Sequence, residues 1–169
     1  MRKYLALGLV ICMMWLCGCA PTTADLNEPI RLYYLSNNNL QTDQSFYAVQ
    51  SIEGIDFQGD AKQMLAAYFN PENAGNCVFP FPDNLQVITV SPTESGTELT
   101  LSSDFATLEG IDLTLACACI TMTLCEYLQI NSVTISAQGT QLAGKASITI
   151  HKDSLLLWDN TPIPETASE

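Results

Sequence analysis

Basic residues are scarce in this chain. Six lysines and arginines stand against eighteen aspartates and glutamates, a net charge of −12. Such a balance repels polyphosphate backbones and anionic headgroups, so nucleic acid is excluded as a partner. Histidine is nearly absent too: His151 is the only one. A thiol–imidazole pair would have to bring Cys125 or Cys77 to that single ring. Neither C-x-x-C nor H-x-x-x-H occurs, which removes the usual zinc spacings. G-x-S-x-G is missing, and no serine stands three residues before a lysine, so the common serine-nucleophile signatures are missing as well. Glu53, Asp56 and Asp60 lack EF-hand spacing for calcium. The carboxylate pairs Glu94/Glu98 and Asp104/Glu109 are what eighteen acids produce by chance. The expectation is a protein with no catalytic set, no metal and no cofactor.

What the chain does have is an address. Met1-Arg2-Lys3 is a basic start, and Tyr4 to Gly18 runs apolar without a break. Fifteen helical residues span roughly 22 Å, short of the roughly 30 Å hydrocarbon core, which reads as a signal peptide and not a permanent span. The run ends Leu16-Cys17-Gly18-Cys19-Ala20, which resembles the lipobox of bacterial lipoproteins. That resemblance implies cleavage before Cys19 and diacylglyceryl attachment to its thiol. Cys17 fits less well, because bulky Leu16 would occupy the small-residue position. A plain secretory signal with incidental cysteines is the competing reading. Each buried methylene contributes about 0.8 kcal/mol, so two acyl chains hold where one does not. Residues 20–28 then form a polar tether. The outer face of the cell membrane is the expected location, with the bilayer as first partner through acylated Cys19.

The body is expected at residues 30–139. Arg31–Ser36 and Phe46–Ile52 read as strands, with a polar loop at Asn37–Asp43 between them. Asp60 is the expected N-cap of a helix carrying Ala61, Met64, Leu65 and Tyr68 on one face, stopped by Asn70-Pro71. Leu85–Ser91 and Thr97–Ser102 form a hairpin about Pro92–Gly96. A long helix begins between Leu108 and Leu113, and Ser132–Ala137 is the closing strand, ended by Gly139. On a wheel, Leu113, Ala116, Cys119, Ile120, Thr123, Leu124 and Tyr127 make one broad stripe. The back carries Thr114, Ala118, Thr121, Met122 and Cys125, too apolar for an ordinary solvent face. Either the C-terminal segment or a partner is expected to cover it.

Cys117 and Cys119 point about 200° apart on that helix, and Cys125 lies roughly 9 to 12 Å further along. None of the three can bridge another, so at most Cys77 pairs with one of them. Buried free thiols are the expectation.

The run from Leu99 to Ser136 resembles the GerM domain family of Gram-positive sporulation and germination lipoproteins. The likeness is carried by Leu101, Ser102, Asp104 and Phe105 at a strand end, by Thr121-Met122-Thr123-Leu124 in the helix, and by Val133, Ile135 and Gly139 in the closing strand. The upstream RLYYLS strand and the helix over residues 59–70 sit where the family places them. The resemblance implies an α+β fold, a small mixed and mainly antiparallel sheet backed by two helices, akin to ring-building domains that assemble side by side. It therefore implies envelope proteins or further copies of the chain as partners. Gln138 departs from the family, which often has an acid there, and the extension beyond Thr140 is unusual. That extension reads as a hairpin over residues 140–158, Ala146–His151 and Ser154–Trp158 about Lys152-Asp153. Residues 159–169 read as a disordered acidic tail. A second functional reading is capture of a small apolar molecule by Tyr33, Tyr34, Phe46 and Tyr47.

Overall fold

The computed structural model describes residues 30–36, 47–52, 57 and 59–155, with 47–52 described through the backbone. The expected signal peptide, Cys19, the tether, the Asn37–Asp43 loop, Phe46, and residues 156–169 lie outside the described residues.

Strands β1 (Ile30–Leu35) and β2 (Tyr47–Ile52) pair antiparallel as a separate two-stranded ribbon. Helix α1 (Ala61–Tyr68) starts where the Asp60 carboxylate accepts from the amides of Lys62 and Gln63, at 2.9 and 3.2 Å. That satisfies two of the helix's orphan donors, as an N-cap should. Its apolar face, Ala61, Met64, Leu65 and Tyr68, is buried as the i, i+3, i+4, i+7 spacing predicts.

Strands β3 (Val87–Pro92) and β4 (Thr97–Leu101) form the expected hairpin, its turn closed by Thr93 N–H to the Gly96 carbonyl. Helix α2 (Gly110–Leu128) is a crossover that returns the chain to β5 (Ser132–Ala137), parallel to β4. Strand β6 (Ile148–His151) pairs antiparallel with β5, giving a four-stranded mixed sheet in the order β3-β4-β5-β6. The architecture is α+β, two helices and a mixed sheet.

Two details differ from the sequence-based expectation. The first arm of the expected terminal hairpin joins the main sheet as β6. After it comes a 3₁₀ turn over Lys152–Ser154, held by the Leu155 amide on the Lys152 carbonyl. Lys152-Asp153 has no glycine or asparagine to take positive φ, so it makes this turn instead of a two-residue one. The 3₁₀ segments Pro71–Ala74 and Ser103–Thr107 were likewise not legible as turns of helix.

The core lies between the sheet and α2. Leu99, Leu101, Val133 and Ile135 project from the sheet and are fully buried, as are Ile120 and Leu124 of the helix. Each such side chain contributes about 1.5–3 kcal/mol by leaving water. The β1–β2 ribbon lies across another side of α2, where the Tyr33 amide donates to Thr123 Oγ1 at 3.0 Å. Enclosure from two directions explains why α2 is apolar nearly all round. By length and composition it could cross a bilayer, but here it is the core helix of the domain.

Candidate functional site

Adjacent residues of a strand point to opposite faces, and β1 uses that to give its two tyrosines different tasks. Tyr34 is fully buried and donates to the Tyr68 carbonyl at 2.9 Å. Its ring lies 5.0 Å from that of Tyr68, within an aromatic cluster that includes Phe69, Phe79 and Phe81. Tyr68 in turn donates to the Tyr33 carbonyl, so the two buried hydroxyls tie β1 to α1 reciprocally. Burial pushes the phenol of Tyr34 well above its ordinary range and that of Tyr68 likewise.

Tyr33 faces the other way, toward the rim of α2. Its hydroxyl donates to Glu126 Oε2 at 2.5 Å, and Arg31 Nε lies 3.6 Å from Glu126 Oε1. Partial burial, with the adjacent carboxylate, raises the Tyr33 phenol to about 12. Glu126 is the only charge on α2 beyond Asp112, and that isolation was a readable signal. The cluster fastens the ribbon to the helix end. Being largely exposed, the Arg31–Glu126 contact adds little by itself. Tyr33 and Tyr34 thus do not line one pocket, and Tyr34 has no face open to a ligand.

A depression of about 340 Å³ opens between the start of α1 and the β3–β4 hairpin, lined by Asp60, Lys62, Val90, Pro92, Thr97 and Leu128 among others. Its charged groups are already engaged. Asp60 caps α1, and Lys62 Nζ donates to the Ile88 carbonyl at 3.1 Å, at the irregularity between Val87 and Thr89 where the β3–β4 register shifts.

The other candidates are apart. His151 is exposed at the end of β6, on the opposite strand face from Ile150, while Cys125 is buried on α2. Cys77 is half-buried, and Cys117, Cys119 and Cys125 are buried free thiols. Burial pushes Cys117 and Cys119 up to about 12 and raises Cys125 more modestly, making poor nucleophiles of all three. Glu94, Glu98, Asp104 and Glu109 are exposed, and Asp104 accepts from the Ser102 hydroxyl at 2.9 Å as a local turn contact. Glu53 and Asp56 lie outside the described residues, and among those described no three metal-ligating side chains gather.

What the structure offers is surface. The sheet's open face carries Thr89, Ser91, Glu98, Thr100, Thr134, Ser136 and Thr149, with hydroxyl pairs at Thr134–Thr149 (2.9 Å) and Thr100–Ser136 (3.2 Å). Among the described residues, the outer edge of β6 has no strand partner.

No family model and no curated protein sequence matches the chain. Solved structures do. The first GerMN domain of the sporulation protein GerM from Bacillus subtilis superposes with a TM-score of 0.51 at 17% identity, over 70% of this chain and 91% of that one. The tandem GerMN domains of the same protein match with a TM-score of 0.46 at 17% identity, covering 77% of this chain and 46% of that one. A Clostridium perfringens protein assigned as a lipoprotein matches with a TM-score of 0.45 at 16% identity, over 75% and 89% of the two chains. The fold is that of a GerMN domain.

Proposed function

We propose that this protein is a lipid-anchored module of the bacterial cell envelope, held outside the membrane by acylated Cys19, which assembles non-covalently with envelope proteins or with copies of itself. One combination carries the reading: the Leu16-Cys17-Gly18-Cys19 sequence closing an apolar leader, directly ahead of a body with the GerMN fold. The B. subtilis domain of that fold belongs to a sporulation protein, and sporulation or germination is the process proposed here. The acidic balance suits a domain standing off an anionic surface on a tether. A non-catalytic role is supported by the separation of His151 from the thiols and by thiols that stay protonated. The open edge of β6, with Ile148 and Ile150 toward the core and Thr149 and His151 outward, is the surface proposed for contact.

Two measurements test this. Metabolic labelling with an alkyne fatty acid should mark the wild-type protein in the membrane fraction, and Cys19→Ala should abolish both label and retention. An unlabelled protein released to the medium would sink the anchor. A photoreactive residue at Thr149 in intact cells should crosslink to a defined envelope protein or to a second copy. Crosslinking no greater than from the same residue placed at Glu94, in the β3–β4 turn, would sink the β6 contact.

A further inference from the structure

Hydrogen bonds fix which backbone groups each edge of the sheet presents. On β6, Lys152 N–H reaches the Asn131 carbonyl at 2.9 Å, one step beyond the Ser132–His151 pair. Antiparallel pairs alternate, so Ile150 and Ile148 also spend their backbone groups on β5, while Thr149 and His151 turn N–H and C=O away from the sheet. Thr149 and His151 are exposed, and Ile148 and Ile150 are half-buried.

The opposite edge is closed. The bond from Thr93 N–H to the Gly96 carbonyl sets the same alternation on β3, so Val90 and Pro92 face outward. Pro92 has no N–H to offer, and the Ile88 carbonyl is taken by Lys62 Nζ at 3.1 Å. The register shifts beside that carbonyl, and α1 packs against the strand. Each of these features keeps a further strand off an edge. A ring or filament of sheets would need both edges, whereas a contact of β6 with β6 closes on itself.

Charge points the same way. Residues 30–139 hold twelve acids against Arg31 and Lys62, but residues 140–155 hold Lys145 and Lys152 against Asp153. Over most of the body a second copy meets charge of its own sign; at β6 it does not. Lys145 and Asp153 are both exposed, and each stands four residues from Thr149. An antiparallel pair centred on Thr149 therefore sets Lys145 level with Asp153 of the second copy, at both ends. The same register puts half-buried Ile148 opposite Ile150 and carries the Thr134–Thr149 hydroxyl row across the junction. Centring on Ile148 or Ile150 instead loses the match of lysine with aspartate.

We infer that β6 pairs antiparallel with β6 of a second copy about a two-fold axis at Thr149, joining the two sheets into one. This rests on the β6 contact proposed above and narrows its partner to the chain itself. A four-residue strand buries little area, so the pairing is transient and trapping is the suitable measurement.

The full chain carrying Thr149→Cys is oxidised briefly in intact cells. Pairing brings the two residues 149 to about 5.5 Å between Cα atoms, within disulfide reach. A covalent dimer should form at least about tenfold faster than in the unsubstituted chain, whose own thiols serve as the control, or in Thr89→Cys on β3. Equal rates in all three would overturn the inference. Charge reversal then reads the register: Lys145→Glu should slow the trapping of Thr149→Cys by about threefold to tenfold, and adding Asp153→Lys should restore it. No slowing, or slowing without rescue, would overturn it as well. A photoreactive residue at Thr149 that captures another envelope protein, with no disulfide dimer, overturns this inference and leaves the β6 contact standing. Capture of neither kind sinks both.

Discussion

Gly96, in the turn between β3 and β4, has no room for a side chain. A Cβ built there would lie 2.1 Å from the Ser132 carbonyl oxygen, and Ser132 Oγ is itself fixed on the Ser95 carbonyl at 2.7 Å. The neighbour is backbone and cannot swing aside. Gly96→Ala should therefore cost about 2–3 kcal/mol or more, read as a lowered urea midpoint with unchanged slope. The buried thiols make a second residue-scale prediction. Cys117 and Cys119 titrate near 12 when folded, against about 8.5 in the unfolded chain. A raised pKa on an acid means the folded state holds its proton more tightly. Stability is then complete below about pH 8.5 and falls as pH rises from there toward 12. Denaturation at stepped pH should show this decline beginning near pH 9, and Cys117→Ala, Cys119→Ala together should flatten it. In the native protein at neutral pH, an alkylating reagent should reach half-buried Cys77 before Cys117 or Cys119.

Helix α1 was readable because its determinants are local: the Asp60 cap, the four-residue apolar rhythm, and Asn70-Pro71 beyond. Asp60→Ala should lower stability by about 1 kcal/mol by thermal melting, while Asp60→Asn should lose only part of that, because the amide oxygen still caps. The longer α2 was equally plain in its stripe, and Leu124→Ala should cost about 2–5 kcal/mol, since its site is sealed by neighbours on the sheet. What covers α2's flank was not readable at this scale. Thr123 looks like any helix threonine in sequence, yet its hydroxyl receives the Tyr33 amide from ninety residues away. The Tyr33–Glu126 bond is equally non-local, marked beforehand only by the solitary charge near the helix end. Strand content in Ala146–His151 was legible, but its pairing with β5 was not, for a related reason. Most of the second arm expected for the terminal hairpin lies outside the described residues.

At the level of the whole molecule, α2 is the axis: the four-stranded sheet packs on one side, the β1–β2 ribbon on another, and α1 bridges between through Tyr34 and Tyr68. Such a helix should exchange its central amides only by global unfolding. Hydrogen exchange should therefore find residues 116–125 protected to the full unfolding free energy, and the β6 edge much less. Local patterns determined the strands, both helices, the caps and the acidic, nucleic-acid-averse character of the chain, because alternation, helical periodicity and charge act over a few residues. They also carried the likeness to GerM domains, since that likeness consists of apolar spacing. Strand alternation parts the two tyrosines of β1, but tertiary structure alone decided what each meets, Tyr34 the Tyr68 carbonyl in the core and Tyr33 the Glu126 carboxylate. It alone decided that β6 completes the sheet, and that His151 and Cys125 end on opposite sides of a strand. Those outcomes depend on which surfaces meet across long stretches of chain, and no local rhythm encodes the choice of partner.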